Sequence, residues 1–474
     1  SEQVIITVIS QYPSRTALFH TDSIDQMVKI KTISRVEEKY TRECRNDVMK
    51  MFRNRDPKLH PFEKAREYTR ALTTVKIEKM MAKPFIGALD GHSDGVWCTA
   101  NAKNSLVQFF SGSCDGEIRA WDLAQKKTVW SVNAHRGFVR GLTVAPSGRT
   151  FYSCGDDAVI KQWSVEVAHN LQEQPEPLRT YVGKSVFHSI DHHWRDPKFV
   201  TTGSSAVDIW DCERTEPVHS YKWGVETVGC ARYNPAEADL FASCGNDRSV
   251  ALYDARAATP LRKVILQMRT NKVAWNPMEP FYFVAANEDH NLYTFDMRNM
   301  ERAIVIHKDH VSAVMDVAFS PTGREFVSGS YDRTTRIFGY RSGKSREVYH
   351  TKRMHRIFCV NFSADSRFIL TGSDDTNIRI WKARAAKPVA KMALREERKM
   401  AYRESLKKRF GHLPEIRRIA NHRHLPKSVK KAKELKELQK NSERRKVENR
   451  KRHSKPGSIQ ERPEKKQAVV TEEK

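Results

Sequence analysis

Histidine, serine and aspartate, the three residue types of a hydrolytic triad, occur together more than once in this chain. Two sets also end in a tryptophan, and they are His92, Ser111, Asp115 and Trp121, and His135, Ser153, Asp157 and Trp163. A catalytic triad occupies one place in a fold, whereas a set that recurs once per repeat indicates architecture. We therefore interpret both sets as structural networks. In each, the histidine donates a hydrogen bond to the aspartate of a tight turn, the serine holds the histidine, and the tryptophan ring packs over them.

Other sequence signatures of chemistry are absent. There is no P-loop, HExxH zinc motif, CxxC pair or nucleophile elbow. The 8 cysteines show no metal-ligand spacing, and we expect them to be small buried hydrophobic side chains in a reducing compartment. The adjacent His192 and His193 are expected to pack in a loop, with metal ligation as the alternative, because a metal site needs three or four convergent ligands. The sequence thus predicts no enzymatic activity, no cofactor and no metal site.

One phrase is repeated seven times between residues 110 and 382. A small hydroxyl residue or alanine is followed four residues later by aspartate, and six residues after that by an aromatic residue; only the copy that ends at Trp210 lacks its aspartate. The aromatic residues lie 42, 47, 43, 42, 43 and 43 residues apart, and they are Trp121, Trp163, Trp210, Tyr253, Phe295, Phe338 and Trp381. This period and phrase are typical of WD-repeat blades of four strands. The predicted fold class is all-β: a seven-bladed WD40 β-propeller with an N-terminal arm and a basic, mainly α-helical C-terminal extension.

The ends of the propeller follow from how such rings close. The last blade often takes its outer strand from the segment before the first histidine, and residues 84–89 suit that role. We therefore place the propeller at residues 84–383, between an N-terminal arm (29–83) and a C-terminal extension (384–474). The arm is expected to contain a helix from Arg70 to Met80 and to lie over the propeller. Residues 1–28 have no assigned role, and we expect no signal peptide or membrane span and a soluble intracellular protein.

Positive charge is concentrated in the extension. Residues 383–474 contain 30 Lys and Arg against 12 Asp and Glu, a net charge of +18 out of +26 for the whole chain. Tyr402, Leu406 and Phe410 are spaced to form one apolar stripe on a helix, which we expect to dock on protein. Residues 427–452 carry too few apolar side chains for a core, so we expect a helix only when a partner is bound, and a disordered end after Gly457.

Three interpretations of this basic extension remain open. It can act as a nuclear import signal, bind the phosphates of RNA or DNA, or bind acidic protein surfaces. Aromatic residues are scarce after Phe410, so RNA contact is expected to follow shape and backbone rather than base sequence. The residues predicted to contact RNA or a partner are Arg417, Arg418, Arg423, His424, Lys427, Arg444, Arg445, Lys446, Lys451, Arg452 and Lys455.

Several phrases outside the WD pattern resemble the suppressor-of-fibrillarin (Sof) family of WD-repeat proteins. They include Asp56-Pro-Lys-Leu-His-Pro-Phe62, Ile190-Asp-His-His-Trp194, Val348-Tyr-His-Thr-Lys-Arg-Met354 and His422-Arg-His-Leu-Pro-Lys427. The resemblance implies a nucleolar, non-catalytic scaffold of the small-subunit processome, which supports snoRNA-guided processing of pre-18S rRNA and 40S assembly. It implies pre-rRNA, snoRNP and other processome proteins as partners, and neither a membrane nor a small-molecule substrate.

The same family resemblance implies an alternative role. Some members are substrate receptors of cullin-RING ubiquitin ligases through the DDB adaptor, and they use an aromatic-Asp-x-Arg motif at the end of a blade. Asp254 and Arg256 follow Tyr253 in this pattern, and Asp296 and Arg298 follow Phe295 more loosely. An aspartate and an arginine two residues apart also cap a turn by themselves, so a purely structural role is the competing interpretation.

Overall fold

The computed structural model describes residues 62–165, 176–222, 226–455, 457–459 and 462–473. Across these ranges the strands form seven antiparallel sheets arranged as the blades of a propeller, as the repeat spacing predicts. Blades one to four contain β2 (Val96–Asn101), β3 (Gln108–Ser113), β4 (Glu117–Asp122) and β5 (Lys127–Asn133); β6 (Val139–Val144), β7 (Thr150–Gly155), β8 (Val159–Ser164) and β9 (Arg179–Val182); β10 (Ser189–His192), β11 (Lys198–Thr202), β12 (Val207–Asp211) and β13 (Pro217–Tyr221); and β14 (Val228–Tyr233), β15 (Leu240–Gly245), β16 (Ser249–Asp254) and β17 (Arg262–Leu266).

Blades five to seven continue in the same order. They contain β18 (Thr270–Trp275), β19 (Tyr282–Asn287), β20 (Asn291–Asp296) and β21 (Val305–Lys308); β22 (Val314–Phe319), β23 (Glu325–Ser330), β24 (Thr335–Gly339) and β25 (Ser345–Tyr349); and β26 (Ile357–Phe362), β27 (Phe368–Ser373) and β28 (Ile378–Lys382). The seventh sheet is completed by β1 (Phe85–Leu89), which pairs with β28 in the register Leu89↔Ile378. The predicted closure of the ring by residues 84–89 is confirmed.

The hydrogen-bond network of the second blade has a defined direction. Trp163 Nε1 donates to Ser153 Oγ at 2.9 Å, Ser153 lies 2.8 Å from His135 Nε2, and His135 Nδ1 lies 3.0 Å from Asp157. Because the indole can only donate and the carboxylate accepts, the serine proton points to Nε2 and the histidine proton sits on Nδ1. Every polar group of this buried set is thereby satisfied, which makes the set a structural element of the blade.

The first blade departs from the predicted network. Trp121 Nε1 and His92 Nε2 both reach Ser111, at 2.7 and 2.6 Å, but His92 Nδ1 lies 3.2 Å from Glu117 Oε2. The expectation that Asp115 accepts this hydrogen bond is wrong. The hydroxyls of Ser93 and Ser113 donate to Asp115 instead, and this leaves Glu117 as the acceptor for the histidine.

Charged side chains line the central channel of the propeller, where a cavity of about 580 Å³ is bounded by the first strand of every blade. Arg232 lies 3.0 Å from Asp191, and Lys272 lies 3.4 Å from Asp316. The carboxylates also accept backbone N–H groups of the following blade, since Tyr233 N donates to Asp191 at 2.9 Å and Val360 N donates to Asp316 at 2.8 Å. These contacts tie neighbouring blades together.

In the part of the chain that the structure describes, five helices and one strand lie outside the blades given so far. The N-terminal helix α1 covers Glu63–Met80, and residues 73–474 belong to one compact unit. The extension contains α2 (Leu394–Phe410), α3 (Pro414–Ala420), α4 (Lys427–Arg452), the short α5 (Glu464–Gln467) and β29 (Val469–Glu473). None of the described helices is long and apolar enough to cross a membrane. Residues 1–28, and the part of the predicted arm before residue 62, lie outside the described residues.

Two features of the extension differ from the expectations. Residues 427–452 form the helix α4, and one side of it packs on the chain's own propeller. The described residues after Gly457 include a strand: β29 pairs with β17 as a fifth strand of the fourth blade, with Ile265 opposite Thr471. Ala468 and Val469 are buried in the apolar cluster of blades four and five, and this burial offsets the entropy of ordering a short segment.

Candidate partner-binding surface of the C-terminal extension

Each of the three longer helices of the extension is anchored by one buried aliphatic side chain. These side chains are Leu406 in α2, Ile416 in α3 and Val429 in α4. Of the predicted docking stripe, Leu406 is buried, Phe410 is half-buried, and Tyr402 keeps 45% of its surface exposed. The helix therefore meets the rest of the unit along its last turns, where Lys407 Nζ also lies 2.6 Å from Glu78 in α1.

Asp309 is the main electrostatic anchor of the extension. This carboxylate lies just after β21, is 6% exposed, and accepts hydrogen bonds from the backbone N–H and the hydroxyl of Ser345 at 2.8 and 2.7 Å. Two cations of the extension approach it: Arg423 at 3.3 Å and Lys433 at 3.8 Å. Burial alone would raise the pKa of Asp309, but the Ser345 hydrogen bonds and the nearby guanidinium groups of Arg336 and Arg423 lower it overall. Asp309 therefore stays ionised and holds the extension.

Arg423 and His424, both predicted to bind RNA or a partner, contact the propeller. Besides its contact with Asp309, Arg423 Nε donates to the carbonyl of Arg346 at 3.3 Å. The ring of His424 stacks on that of His350 with centroids 5.3 Å apart, and the two facing ring nitrogens are 3.2 Å apart. Burial lowers the pKa of His350. These two residues position the extension on the propeller, and their contact with RNA or a partner stays a prediction, since His424 remains exposed.

The side of α4 that faces the propeller is defined by side chains at spacings of four, three and four residues. They are Val429, Lys433, Lys436 and Lys440, which lie on one face of a helix. Burial lowers the pKa of Lys436, although the charge of Asp289 opposes this shift. Lys440 lies 3.3 Å from Glu464, which also pairs with Lys308. Glu464 therefore connects α4 to the propeller.

The terminal segment fastens the extension a second time. Ala303 N donates to the carbonyl of Lys465 at 3.1 Å, and Gln267 N donates to that of Ala468 at 3.0 Å. Farther on, the carboxylate of Glu472 is only 7% exposed and lies 3.3 Å from Arg262. The segment thus runs along blades four and five. Sequence reasoning missed this contact because five residues pair with a strand some two hundred positions away.

The remaining predicted residues are exposed, and most of them lie on α4 and just after it. Besides His424, the exposed residues of the predicted set are Arg417, Arg418, Lys427, Arg444, Arg445, Lys446, Lys451, Arg452 and Lys455. Lys427, Arg445 and Arg452 lie on the face of α4 opposite Lys436, as 3.6 residues per turn requires. Arg417 and Arg418 lie apart from these, on α3. We call the group from Arg444 to Lys455 the distal basic cluster.

The Asp-x-Arg motifs cap turns at the ends of two blades. Asp254 Oδ1 accepts the backbone N–H of Arg256 at 3.0 Å, and Asp296 Oδ1 accepts that of Arg298 at 3.0 Å. The guanidinium group of Arg256 also reaches Asp239, with Nε 2.8 Å from the carboxylate, and that of Arg298 pairs with Asp296 at 2.9 Å. The two arginine side chains nevertheless remain 75% and 59% exposed. The aspartates therefore have a structural role in capping the turns, and the arginine side chains are accessible to a partner.

The histidine pair is engaged by backbone atoms. His192 Nδ1 lies 2.6 Å from the carbonyl of His193, and His193 Nε2 lies 2.9 Å from that of Ala238. His193 Nδ1 accepts the N–H groups of Arg195 and Asp196 at 3.1 and 2.7 Å. The loop-packing interpretation fits this geometry. Over the described ranges, no group of three or more His, Cys, Asp and Glu side chains could hold a metal ion.

Both the propeller and the extension match known protein families. Residues 383–469 match the model of the Sof1-like domain, and residues 83–122, 126–164, 302–338 and 346–382 match the WD domain, G-beta repeat. The chain is 51% identical to DDB1- and CUL4-associated factor 13 of Danio rerio and 50% identical to the protein of that name in Xenopus tropicalis. These matches cover 94% of this chain and 99% of each relative. Protein SOF1 of Saccharomyces cerevisiae is 43% identical, over 90% of this chain and 91% of that protein.

Proposed function

Because this chain belongs to the Sof family of WD-repeat proteins, we propose that it is a non-catalytic scaffold of the small-subunit processome in the nucleolus. In this role it supports snoRNA-guided processing of pre-18S rRNA and assembly of the 40S subunit. Its partners are pre-rRNA, snoRNP components and other processome proteins. The match over nearly the full length of Protein SOF1 supports this assignment, since it includes the propeller and the extension together.

The distal basic cluster is the observation that carries the proposal. Asp309 of the propeller and Glu464 of the terminal segment hold α4, and they pair with Lys433 and Lys440 on its inner face. The exposed cations then project from a fixed helix toward solvent. Such an array suits the phosphate backbone of RNA, because each neutralised phosphate releases counterions. Helix and propeller would act as one rigid platform in a large particle.

Substitution is a better test of this function than deletion. Removal of residues 384–474 would expose the edge of β17 and the apolar cluster that Val469 covers, so a defect could come from misfolding. Arg444, Arg445 and Lys446 can instead be changed to Gln together, because all three are exposed. We expect loss of co-sedimentation with large pre-ribosomal particles and, for purified protein on single-stranded RNA, a salt slope smaller by about 2.

A matched control variant loses the same three positive charges from the surface of the propeller. Lys127, Arg214 and Lys222 are exposed on the propeller, and their joint replacement by Gln should leave sedimentation unchanged. If the cluster variant still co-sedimented with pre-ribosomal particles as the control does, the cluster would have no part in the function.

A second candidate function is that of substrate receptor for a cullin-RING ubiquitin ligase. The relatives named DDB1- and CUL4-associated factor 13 and the exposed arginines of the Asp-x-Arg motifs favour it. Arg256→Ala together with Arg298→Ala should abolish capture by a purified DDB adaptor, while the turns stay capped by Asp254 and Asp296 through backbone N–H groups. Equal capture of this variant and the unmodified chain would remove this function.

A further inference from the structure

A further cavity opens beside the linker (383–393) that joins β28 to α2. Its volume is about 990 Å³, at the upper end of the roughly 300–1,000 Å³ that is typical of ligand-binding clefts. The walls come from the loops between the first and second strands of blades five, six and seven, and from the linker itself. The cavity therefore lies on the face of the propeller where the first strands end. We call it the linker cleft.

The walls of the linker cleft are held by hydrogen bonds within the chain. Asn276 Nδ2 donates to the carbonyl of Gly323 at 3.2 Å, which joins the loops of blades five and six. Gly323 has a φ of +66°, and a Cβ atom there would lie 2.7 Å from that of Met278, so the close approach of the two loops requires glycine. On the other side, Ala383 N donates to the carbonyl of Arg367 at 2.7 Å. Walls that are fixed in advance lower the entropic cost of binding a ligand.

Positive charge dominates the lining of the linker cleft. Its two carboxylates are already engaged, since Glu279 accepts the hydroxyl of Tyr340 at 2.8 Å and Glu325 accepts Nη2 of Arg346 at 3.1 Å. Within the described residues, five of the six cations that line the cleft form no ion pair, and they are Arg324, Lys382, Arg384, Lys387 and Lys391. The sixth, Arg367, lies 4.0 Å from Asp365 and is 74% exposed. The cleft therefore favours an anionic ligand.

Apolar side chains lie among these cations. Met278 of the propeller and Val389 of the linker are 67% and 49% exposed, and Phe368 and Met392 are partly exposed. Bases of single-stranded RNA stack on rows of exposed aromatic rings, and the described lining residues include no such row. Methionine and valine instead suit the apolar side chains of a peptide. The combination of cations and apolar surface thus favours an acidic peptide over RNA.

We propose that the linker cleft binds an extended acidic segment of a partner protein, in which carboxylates alternate with apolar side chains. The carboxylates pair with Arg324, Arg384 and Lys387, and an apolar side chain packs on Met278 and Val389. The cleft is separate from the distal basic cluster, and its occupant does not depend on the proposed role in ribosome assembly.

The test uses the purified full chain and a fluorescently labelled peptide of four Asp-Leu repeats, with a Lys-Leu peptide and oligouridine as comparison probes. Fluorescence anisotropy should show binding of the Asp-Leu peptide and none of the Lys-Leu peptide. Arg324→Gln combined with Arg384→Gln should weaken binding of the Asp-Leu peptide by about fivefold, because two exposed ion pairs are lost. Val389→Ser should weaken it by about threefold through the loss of apolar contact.

Matched controls change the same residue types elsewhere on the propeller. Lys127→Gln combined with Arg214→Gln removes two exposed cations from other blades, and Val218→Ser changes an exposed valine of the third blade. Neither control should change the affinity for the Asp-Leu peptide.

Three results would overturn the proposal. The first is equal affinity of the Asp-Leu peptide for the unmodified chain and the arginine variant, and the second is binding of the Lys-Leu peptide as tight as that of the Asp-Leu peptide. The third is oligouridine binding that the arginine variant weakens more than peptide binding, since the cleft would then be an RNA site. If the melting curve shows that the arginine variant does not fold, Lys387→Gln combined with Lys391→Gln decides, because both side chains are exposed on the linker.

Discussion

Replacement of Arg423 by Met should loosen the extension without unfolding the propeller. The side chain keeps its apolar stem but loses the guanidinium group that lies 3.3 Å from the buried Asp309. A hydrogen bond to a charged group contributes about 1.5–3 kcal/mol. Because this contact is long and Asp309 keeps Ser345 and Lys433 as partners, we take the lower bound, about 1.5 kcal/mol. That value corresponds to about a tenfold increase in the population in which α4 is detached.

Hydrogen exchange followed by mass spectrometry measures this population directly. Exchange of the amides in residues 427–445 should accelerate about tenfold in Arg423→Met, while the strands of the first blade keep their protection. Arg418→Met is the matched control, since Arg418 is exposed on the neighbouring helix and should leave exchange unchanged. Identical exchange of α4 in both variants would show that Asp309 does not hold the extension.

Three further outcomes are expected. A double-mutant cycle on the free energy of unfolding should couple His92 with Glu117 by about 1 kcal/mol and with Asp115 by less, because the hydrogen bond runs to Glu117. The pKa of His350 is lowered in the folded chain, so the folded state binds fewer protons than the unfolded one below pH 6.5. Docking of the extension near His424, followed by limited proteolysis, should therefore be constant above pH 6.5 and weaken as the pH falls below it. In His350→Gln the rate of proteolysis should no longer depend on pH. Val469→Asp should place a charge at a buried site and accelerate amide exchange in β17, with Val470→Asp, an exposed neighbour, as the control.

The propeller could be predicted from the sequence because its signal is periodic. Aromatic residues at near-constant spacing from Trp121 to Trp381 determine the number of blades, and closure by residues 84–89 follows from the need to join the ends of the ring. The repeat could not predict that His92 bonds to Glu117 rather than to Asp115. Asp115 lies in the turn and Glu117 begins β4 two residues later, and the neighbouring serine hydroxyls decide which of them the histidine reaches.

The extension was predicted less completely, because long-range contacts determine it. Charge and helical spacing indicated a basic, helical segment with Leu406 at its docking face. They could not indicate that Arg423 and His424 turn toward the propeller, since the partners Asp309 and His350 lie far away in sequence. The pairing of β29 with β17 is of the same kind. In each case a partner elsewhere in the fold overrides the local pattern.

The central claim is that the propeller holds the extension so that its distal basic cluster meets RNA. Ultraviolet crosslinking of purified pre-ribosomal particles, with crosslinked peptides identified by mass spectrometry, tests it most directly. We expect RNA crosslinks in peptides that contain Arg444 to Lys455, and none at Arg423 or Lys433, which face Asp309. Particles that contain the protein but yield no crosslink between Arg444 and Lys455, or that yield crosslinks at Arg423 instead, would contradict it.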